Sequence, residues 1–420
     1  MSTPRLHVLC IGHADSPQFA RRCALLRQAG LQVTELTGSE RPVTPGAACL
    51  TPRGLPLGRF WRLLTLSRMV DFFSLLRRAK PDLVLAQYAQ GLWSWLAPLA
   101  GRPMAVCAMG GDVLLDEQGA PSAPERRATQ GLLRLAGLVL CSSAHLAQSV
   151  RALRPAGQVL AFPWGPDETV FHPGDKLQAR RELSLPPEAW VVFSPRAMQP
   201  LYRVAEIVEA FALACADRPQ ARLLLGTFRA DADYLSLVRK RCAEPDLVQR
   251  VIFLPPQDAQ GMARCYHAAD VCVSFPNSDG LPQSFFEASA CGAPMLLSDL
   301  PNYNQSIRHE EHALLAAPGP QALACALRRA QADPALCRQL TQNAQLLLGE
   351  RGSSALAQQL GELLARCAAS PPPGRLRALP QLFHVLAALA LGRPIAARSG
   401  QPTRPLCLPL RPGPPHNTGL

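Results

Sequence analysis

The chain has 420 residues, 48% hydrophobic and 18% charged, which is length for two or three domains and apolar content for a large core. That composition excludes a disordered, collagen-like or coiled-coil protein, no apolar run reaches the roughly 18 residues that span a bilayer, and the N-terminus lacks a secretory apolar core. The formal net charge is +12, half of it from six Arg in residues 371–420, which hold no Lys and no acid; with no element interleaving basic and aromatic residues, nucleic acid is not an expected partner.

Short apolar runs alternate with helical patterns, the signature of parallel α/β domains. In the first block the expected strands are Leu6–Ile11, Gln32–Leu36, Leu83–Ala86, Met104–Ala108, Leu138–Cys141 and Val159–Phe162. Helices are expected near Gln18–Gln28, Phe60–Arg78, Ala123–Leu135 and Ala144–Leu153. Pro163–Gly174 holds three Pro and two Gly, which marks a connector. The second block places strands at Val191–Ser194, Ala221–Leu225, Val251–Leu254, Val271–Phe275 and Pro294–Ser298. Its helices fall near Val204–Ala216, Ala232–Arg241, Ala259–Ala268, Pro282–Cys291, Pro320–Ala332 and Pro334–Leu348, with a last one at Ser354–Ala368. The fold class is therefore α/β, two doubly wound Rossmann-like domains. The expected division is an N-terminal domain over 1–165, a linker over 166–176, a second domain over 177–350, and a helix over 351–369 that returns to the first domain. Residues 370–420 contain eleven Pro and read as a largely disordered tail in which Leu379–Leu391 alone could form a helix.

Fourteen Cys occur without any C-x-x-C or zinc-ligand spacing, so no metal site is expected. Cys10, Cys107, Cys141, Cys272 and Cys291 sit in apolar segments, where a thiol behaves as a small core residue. That usage favours a reducing compartment and a cytoplasmic location.

The densest chemistry lies in Ser278–Pro294, SDGLPQSFFEASACGAP. It follows an apolar strand and opens a helix. The amides around Gly280 and Leu281 would point out of the helix N-terminus, a ready anion site. Asp279 and Glu287, eight positions apart, would face the crevice at the carboxyl ends of the strands. Spacing alone leaves open that Asp279 caps the helix and that Glu287 is a solvated helix residue. At the first strand, Gly12-His13-Ala14-Asp15 lacks the G-x-G-x-x-G dinucleotide fingerprint. A phosphate or sugar could approach Gly12 with His13 lining the cleft, or His13 could be structural.

The stretch resembles the nucleotide-sugar motif of retaining glycosyltransferases of family 4 with the GT-B fold: a carboxylate, Gly, then Glu-Ala-x-Ala-x-Gly-x-Pro. Here it reads Asp279-Gly280 followed by Glu287-Ala288-Ser289-Ala290-Cys291-Gly292-Ala293-Pro294. HVLCIGHADSPQFARRCALLRQAGLQV, KPDLVLAQ, GGDVL, PWGPDETVFHP, SPRAMQPLYRVAEIVEAFA and RVIFLPPQDAQGMARCYHAADVCVSF match further family segments in the family's order. The resemblance spans about residues 5–367 and leaves out the tail.

It implies that Glu287 bonds the ribose hydroxyls, that Asp279 (glutamate in most relatives) faces the donor sugar, and that Gly280, Leu281 and Arg196 hold the diphosphate. A lysine usually follows the arginine by five or six residues; Leu201 and Tyr202 stand there, so its share falls to Arg203. Many relatives carry a His ahead of Gly-x-Asp at the fourth-strand tip. This chain has Met109-Gly110-Gly111-Asp112, leaving Asp112 to position the sugar or acceptor, or simply to cap the following turn. The implied activity is retaining, metal-independent transfer of a sugar from a nucleotide-diphosphate sugar, a UDP-sugar, to a glycan, lipid-linked or small-molecule acceptor, with no cofactor. A nucleotide-sugar epimerase of the same fold and a degenerate sugar-nucleotide-binding protein are the alternatives. Phe60–Arg78 reads as a basic amphipathic helix, with Arg62, Arg68, Arg77 and Arg78 around one Asp. It predicts peripheral association with an anionic membrane, unless its apolar side only covers the sheet.

Overall fold

In the computed structural model, which describes residues 5–13, 16–37, 48–50, 61–110, 112–113, 122–153, 155–162, 164–303, 306–349 and 353–391, every expected apolar run is a strand of one of two parallel sheets. The first sheet has seven strands: β1 His7–Ile11, β2 Gln32–Leu36, β3 Ala48–Leu50, β4 Leu83–Ala86, β5 Met104–Ala108, β6 Leu138–Cys141 and β7 Gln158–Ala161. Their order is β3-β2-β1-β4-β5-β6-β7. Between them run α1 Pro17–Gln28, α2 Trp61–Ala79, α3 Leu92–Leu96, α4 Ala123–Leu135 and α5 Ala144–Ala152. Alternation along a strand sorts side chains to two faces. Leu9 and Ile11 join the apolar cluster under α2, α3, α4 and α5, whereas Val8 and Cys10 pack with Phe19 and Leu26 of α1.

The second sheet has six strands: β8 Val191–Ser194, β9 Arg222–Gly226, β10 Val251–Leu254, β11 Val271–Ser274, β12 Met295–Ser298 and β13 Leu314–Ala316, in the order β10-β9-β8-β11-β12-β13. Its helices are α6 Lys176–Glu182, α7 Val204–Ala214, α8 Ala232–Cys242, α9 Ala259–Ala268, α10 Gln283–Ala290, α11 Pro320–Ala332 and α12 Pro334–Gly349. Side chains cap most of the helix starts that face solvent: Asp231 accepts from the Tyr234 amide and Asp258 from the Gly261 amide. The start of α10 has Pro282 at the cap position and no side-chain cap. That end faces the cleft.

Two more helices complete the first domain. Ser353–Ala368 (α13) lays Leu356, Leu360 and Leu364 against α1 and the back of the sheet. Arg375–Leu391 (α14) packs along α4, with Val385 and Ala388 in the front core. Within the segment read as tail, the helix expected at Leu379–Leu391 is present, begins earlier at Arg375 and is docked: Gln381 is buried and donates to the carbonyls of Trp95 and Ala128 at 3.0 Å each. Residues 392–420 lie outside the described residues. Cys10, Cys107, Cys141, Cys272 and Cys291 are all free and buried, as core thiols should be. Among the described residues no helix is long and apolar enough to cross a membrane.

Candidate active site

The carboxyl ends of the two sheets meet. A Cβ added to Gly280, just past β11, would lie 2.8 Å from the Met109 carbonyl and 2.9 Å from Ser142 Oγ, at the tips of β5 and β6. Gly110 is as tightly placed: its φ is +121°, and a Cβ there would sit 3.2 Å from the Gly280 nitrogen. Only glycine meets both demands at Gly110.

On the second-domain side, Arg196 leaves the end of β8 and pairs with Asp279 at 2.9 Å, with both side chains less than a fifth exposed. The guanidinium also stacks on Tyr202, 4.2 Å from the ring centre. Tyr303, fully buried beyond β12, donates to Asp279 Oδ2, the same oxygen that pairs with Arg196, at 3.3 Å, and Asn302 donates to the Asp279 backbone carbonyl at 2.9 Å. Burial pushes the Asp279 carboxyl up, and the Arg196 charge offsets part of that rise. Burial likewise holds the Tyr303 phenol well above its usual range, so it remains a donor. Asp279 is therefore not the helix cap that spacing left open; it is the anionic partner of Arg196.

Glu287, one turn into α10, accepts from the Tyr266 hydroxyl at 3.0 Å. Burial pushes its pKa up to about 7, against the opposing pull of Tyr266, Arg21 and Arg196 and a hydrogen bond from Gln18. Gln18 and Arg21 belong to α1, so Glu287 looks across the cleft to the first domain. The connector between β7 and α6 closes that side: Arg21 donates to the Pro166 carbonyl, and Gln283 to that of Gly165 at 3.1 Å. Arg21 keeps two buried nitrogens, Nε and Nη1, without hydrogen-bond partners.

Two expected site residues turn away from the cleft. Arg203 has a left-handed φ of 46°, which sends its guanidinium under the β11–α10 loop. There it donates to the carbonyls of Phe275 and Pro276 at 3.0 Å and to Ser298 Oγ at 3.2 Å, and it stacks on Phe275. With its donors so engaged it cannot take the missing lysine's share of a diphosphate; it braces the loop that carries Asp279. Asp112 is wholly buried and accepts from the amides of Ala89 and Met109 at 2.8 Å and Gly110 at 2.9 Å. Both of its oxygens accept amides of the β4 and β5 loops, so it shapes the cleft wall. Gly111 lies outside the described residues.

Gly12 follows β1 with a packing reason of its own, since a Cβ there would fall 2.0 Å from the Phe19 ring. His13 is exposed and stands edge-on to Tyr88, 6.0 Å between ring centres. Leu281 is half-buried at the α10 entrance. Sequence reasoning missed Gln18, Arg21, Tyr266 and Tyr303. It also missed Arg22, buried beneath the cleft, whose guanidinium lies 4.4 Å over Trp164 and contacts the Met109 sulfur. Among the described residues no group of three or more His, Cys, Asp or Glu side chains is placed to hold a metal ion.

Residues 175–347 match the family described as Glycosyl transferases group 1, and residues 16–165 match the Glycosyl transferase 4-like domain. The D-inositol 3-phosphate glycosyltransferase of Mycobacterium marinum is 35% identical over 153 residues, which cover 35% of this chain and 31% of that protein. The enzyme of that name from Nocardia farcinica is 29% identical over 233 residues, 53% of this chain and 50% of that one. The chain thus spans between about a third and a half of the length of these curated relatives. Among solved structures, sucrose-phosphate synthase from Thermosynechococcus elongatus superposes with a TM-score of 0.72 at 23% identity, over 87% of this chain and 100% of that one. HepE from Anabaena, solved with UDP and glucose, also gives 0.72, at 18% identity over 86% and 100%. These likenesses show the two-domain α/β architecture of GT-B glycosyltransferases.

Proposed function

Since the chain belongs to the group 1 glycosyltransferases, we propose that it moves a sugar from a nucleotide-diphosphate sugar, a UDP-sugar, to a hydroxyl of a glycan, lipid-linked or small-molecule acceptor, with retention at the anomeric carbon. The observation that carries this reading is the Arg196–Asp279 pair, set beside the uncapped start of α10 where the two domains touch. In the transfer, the bond from the anomeric carbon to the diphosphate oxygen breaks and its electron pair leaves on the diphosphate. The acceptor oxygen bonds the same face of the carbon, and its proton passes to the departing phosphate oxygen. Charge building on the diphosphate is met by Arg196 and the amides of Gly280 and Leu281, an arrangement fixed before reaction. Asp279 then exchanges Arg196 for sugar hydroxyls, and Glu287 takes the ribose. No metal or cofactor is required, and the acceptor side opens toward His13 and Tyr88. UDP bound in HepE and the inositol phosphate glycosyltransferases among the relatives support the donor and reaction class. The protein would work on the cytoplasmic side, with cell-surface glycans as the natural acceptor class.

The engagement of Arg203 inside the fold favours a second reading, a protein that binds sugar nucleotides without turnover, because one diphosphate cation is then lacking. Radiolabelled donor separates the two. The transferase reading expects hydrolysis or transfer by the wild type and loss of about a hundredfold or more in Arg196→Ala, on the scale of one removed charge-stabilising donor. UDP binding without any donor breakdown would leave only the binder.

A further inference from the structure

Helix α14 is apolar on two opposite sides. Inward, Ala378, Gln381, Val385 and Ala388 are buried against α4 and the sheet. Outward, Leu376, Leu379, Phe383 and Leu386 are 83%, 48%, 69% and 37% exposed. Their spacing of three and four residues stacks them along one helix face. Elsewhere among the described residues exposed large apolar side chains such as Leu237 and Leu346 sit singly. A helix apolar all round is expected to be covered all round.

Charge says by what. Beside the start of the stripe, Leu379 lines a groove of about 690 Å³ whose rim carries Arg77, Lys80 and Arg102. On the other flank, Arg127 and Arg134 of α4 lie close enough to help push the His384 pKa down, after burial. Helix α14 itself contains two Arg and no acid. A second copy of this chain would set cationic rim against cationic rim. We infer that this face docks on an anionic phospholipid bilayer, with the four apolar side chains at the boundary of headgroups and acyl chains and the basic rim against the phosphates. The helix lies in the surface and does not span it. The contact thereby centres on α14, with Arg77 of α2 at its rim; the side chains of Arg62 and Arg68 lie outside the described ones. It deepens the lipid-linked-acceptor reading yet is independent of the donor chemistry.

The test is sedimentation of the full chain with vesicles of phosphatidylcholine alone, or of phosphatidylcholine and phosphatidylglycerol at about three to one. Binding is expected only to the anionic vesicles and should weaken toward about 0.5 M salt. Arg102→Gln should lower it about fivefold, the factor for one basic residue at such a surface. The double variant Leu376→Glu/Phe383→Glu should lower it at least about tenfold. Leu237→Glu, at a leucine 57% exposed on the second domain, should bind as the wild type does. UDP affinity, measured on the same samples, should not move, so loss of docking is distinct from loss of the sugar-nucleotide reading. Should the double variant melt abnormally, Phe383→Ser alone carries the test. Wild-type indifference to anionic vesicles, or full binding by the folded double variant, overturns the proposal. So does self-association that the double variant abolishes without any lipid binding, which would make a second copy the cover.

Discussion

At Arg196 and Asp279 the free site has already satisfied the charges that a donor would use. The pair is 2.9 Å long and mostly shielded from water, so a diphosphate must take Arg196 away from its carboxylate. Asp279→Asn removes that competitor while keeping the shape. UDP is then expected to bind as tightly or several-fold more tightly, on the scale of about 1 kcal/mol, while turnover falls because the sugar loses its charged acceptor. Calorimetry with UDP and a donor-turnover assay on the same variant check both halves. Glu287 supplies a pH test. Burial raises its pKa to about 7, so below that the neutral acid prevails and accepts ribose hydroxyls poorly. UDP affinity should rise about tenfold from pH 6 to pH 8, and Glu287→Gln should erase that rise, leaving only the nucleotide's own titration. The sign reverses for the empty fold: a raised carboxyl stabilises below its unfolded pKa and loses that contribution as pH climbs through about 7. Thermal melts of wild type against Glu287→Gln should show the loss only in the wild type. The motif residues were legible because their spacing from Gly280 fixes their places. Arg203 and Asp112 sit at the expected strand tips, but their directions were set by a left-handed backbone angle and by three loop amides, which no spacing records.

Helices and strands with strong periods read directly from the sequence, and those without did not. Strands β3 and β13 have three residues each and lie at sheet edges, too short for an alternation to show. The helix expected at Leu379–Leu391 begins earlier, at Arg375, because Pro380 sits inside it and the composition ahead of it is that of a tail. What holds it is tertiary: the buried Gln381 amide against two carbonyls. Gln381→Leu should leave both carbonyls unpaired and cost about 2 kcal/mol, lowering Tm by about 4–8 °C for a domain of this size. Gly131→Ala should act likewise, since its Cβ would stand 2.0 Å from the Gln381 side-chain oxygen. Differential scanning calorimetry reads both, and an unchanged first transition would show that α14 is not docked in solution.

For the whole molecule the decisive contact is the glycine pair where the domains touch. Gly280 has no left-handed backbone angle, so alanine there is unstrained within its own domain. Its methyl would nevertheless press on Met109 and Ser142 of the other domain. Gly280→Ala should therefore leave each domain folded and UDP binding nearly intact. It should hold the cleft open and reduce turnover about tenfold or more, because a misplacement near 1 Å is enough. Small-angle scattering should report a larger radius of gyration than the wild type; an unchanged one with full activity would mean that catalysis does not use this closed form.

The return of α13 and α14 to the first sheet also dictates the order in which the protein can come into being. Gln381 bonds to Trp95 across 286 positions of chain. At about 10 residues per second on the ribosome, the stretch from the end of β7 to the end of α14 takes roughly 20 seconds, during which the first sheet exists without two of its covering helices. The second domain, continuous in the chain, is emitted whole in between and can finish folding first. The N-terminal domain is thus the last to mature, and its bare sheet faces are what a nascent-chain chaperone would meet. Ribosome-bound chains halted once residue 349 has just cleared the exit tunnel should show a protease-resistant second domain beside a first domain that is still cut; a first domain already resistant at that length would contradict this order.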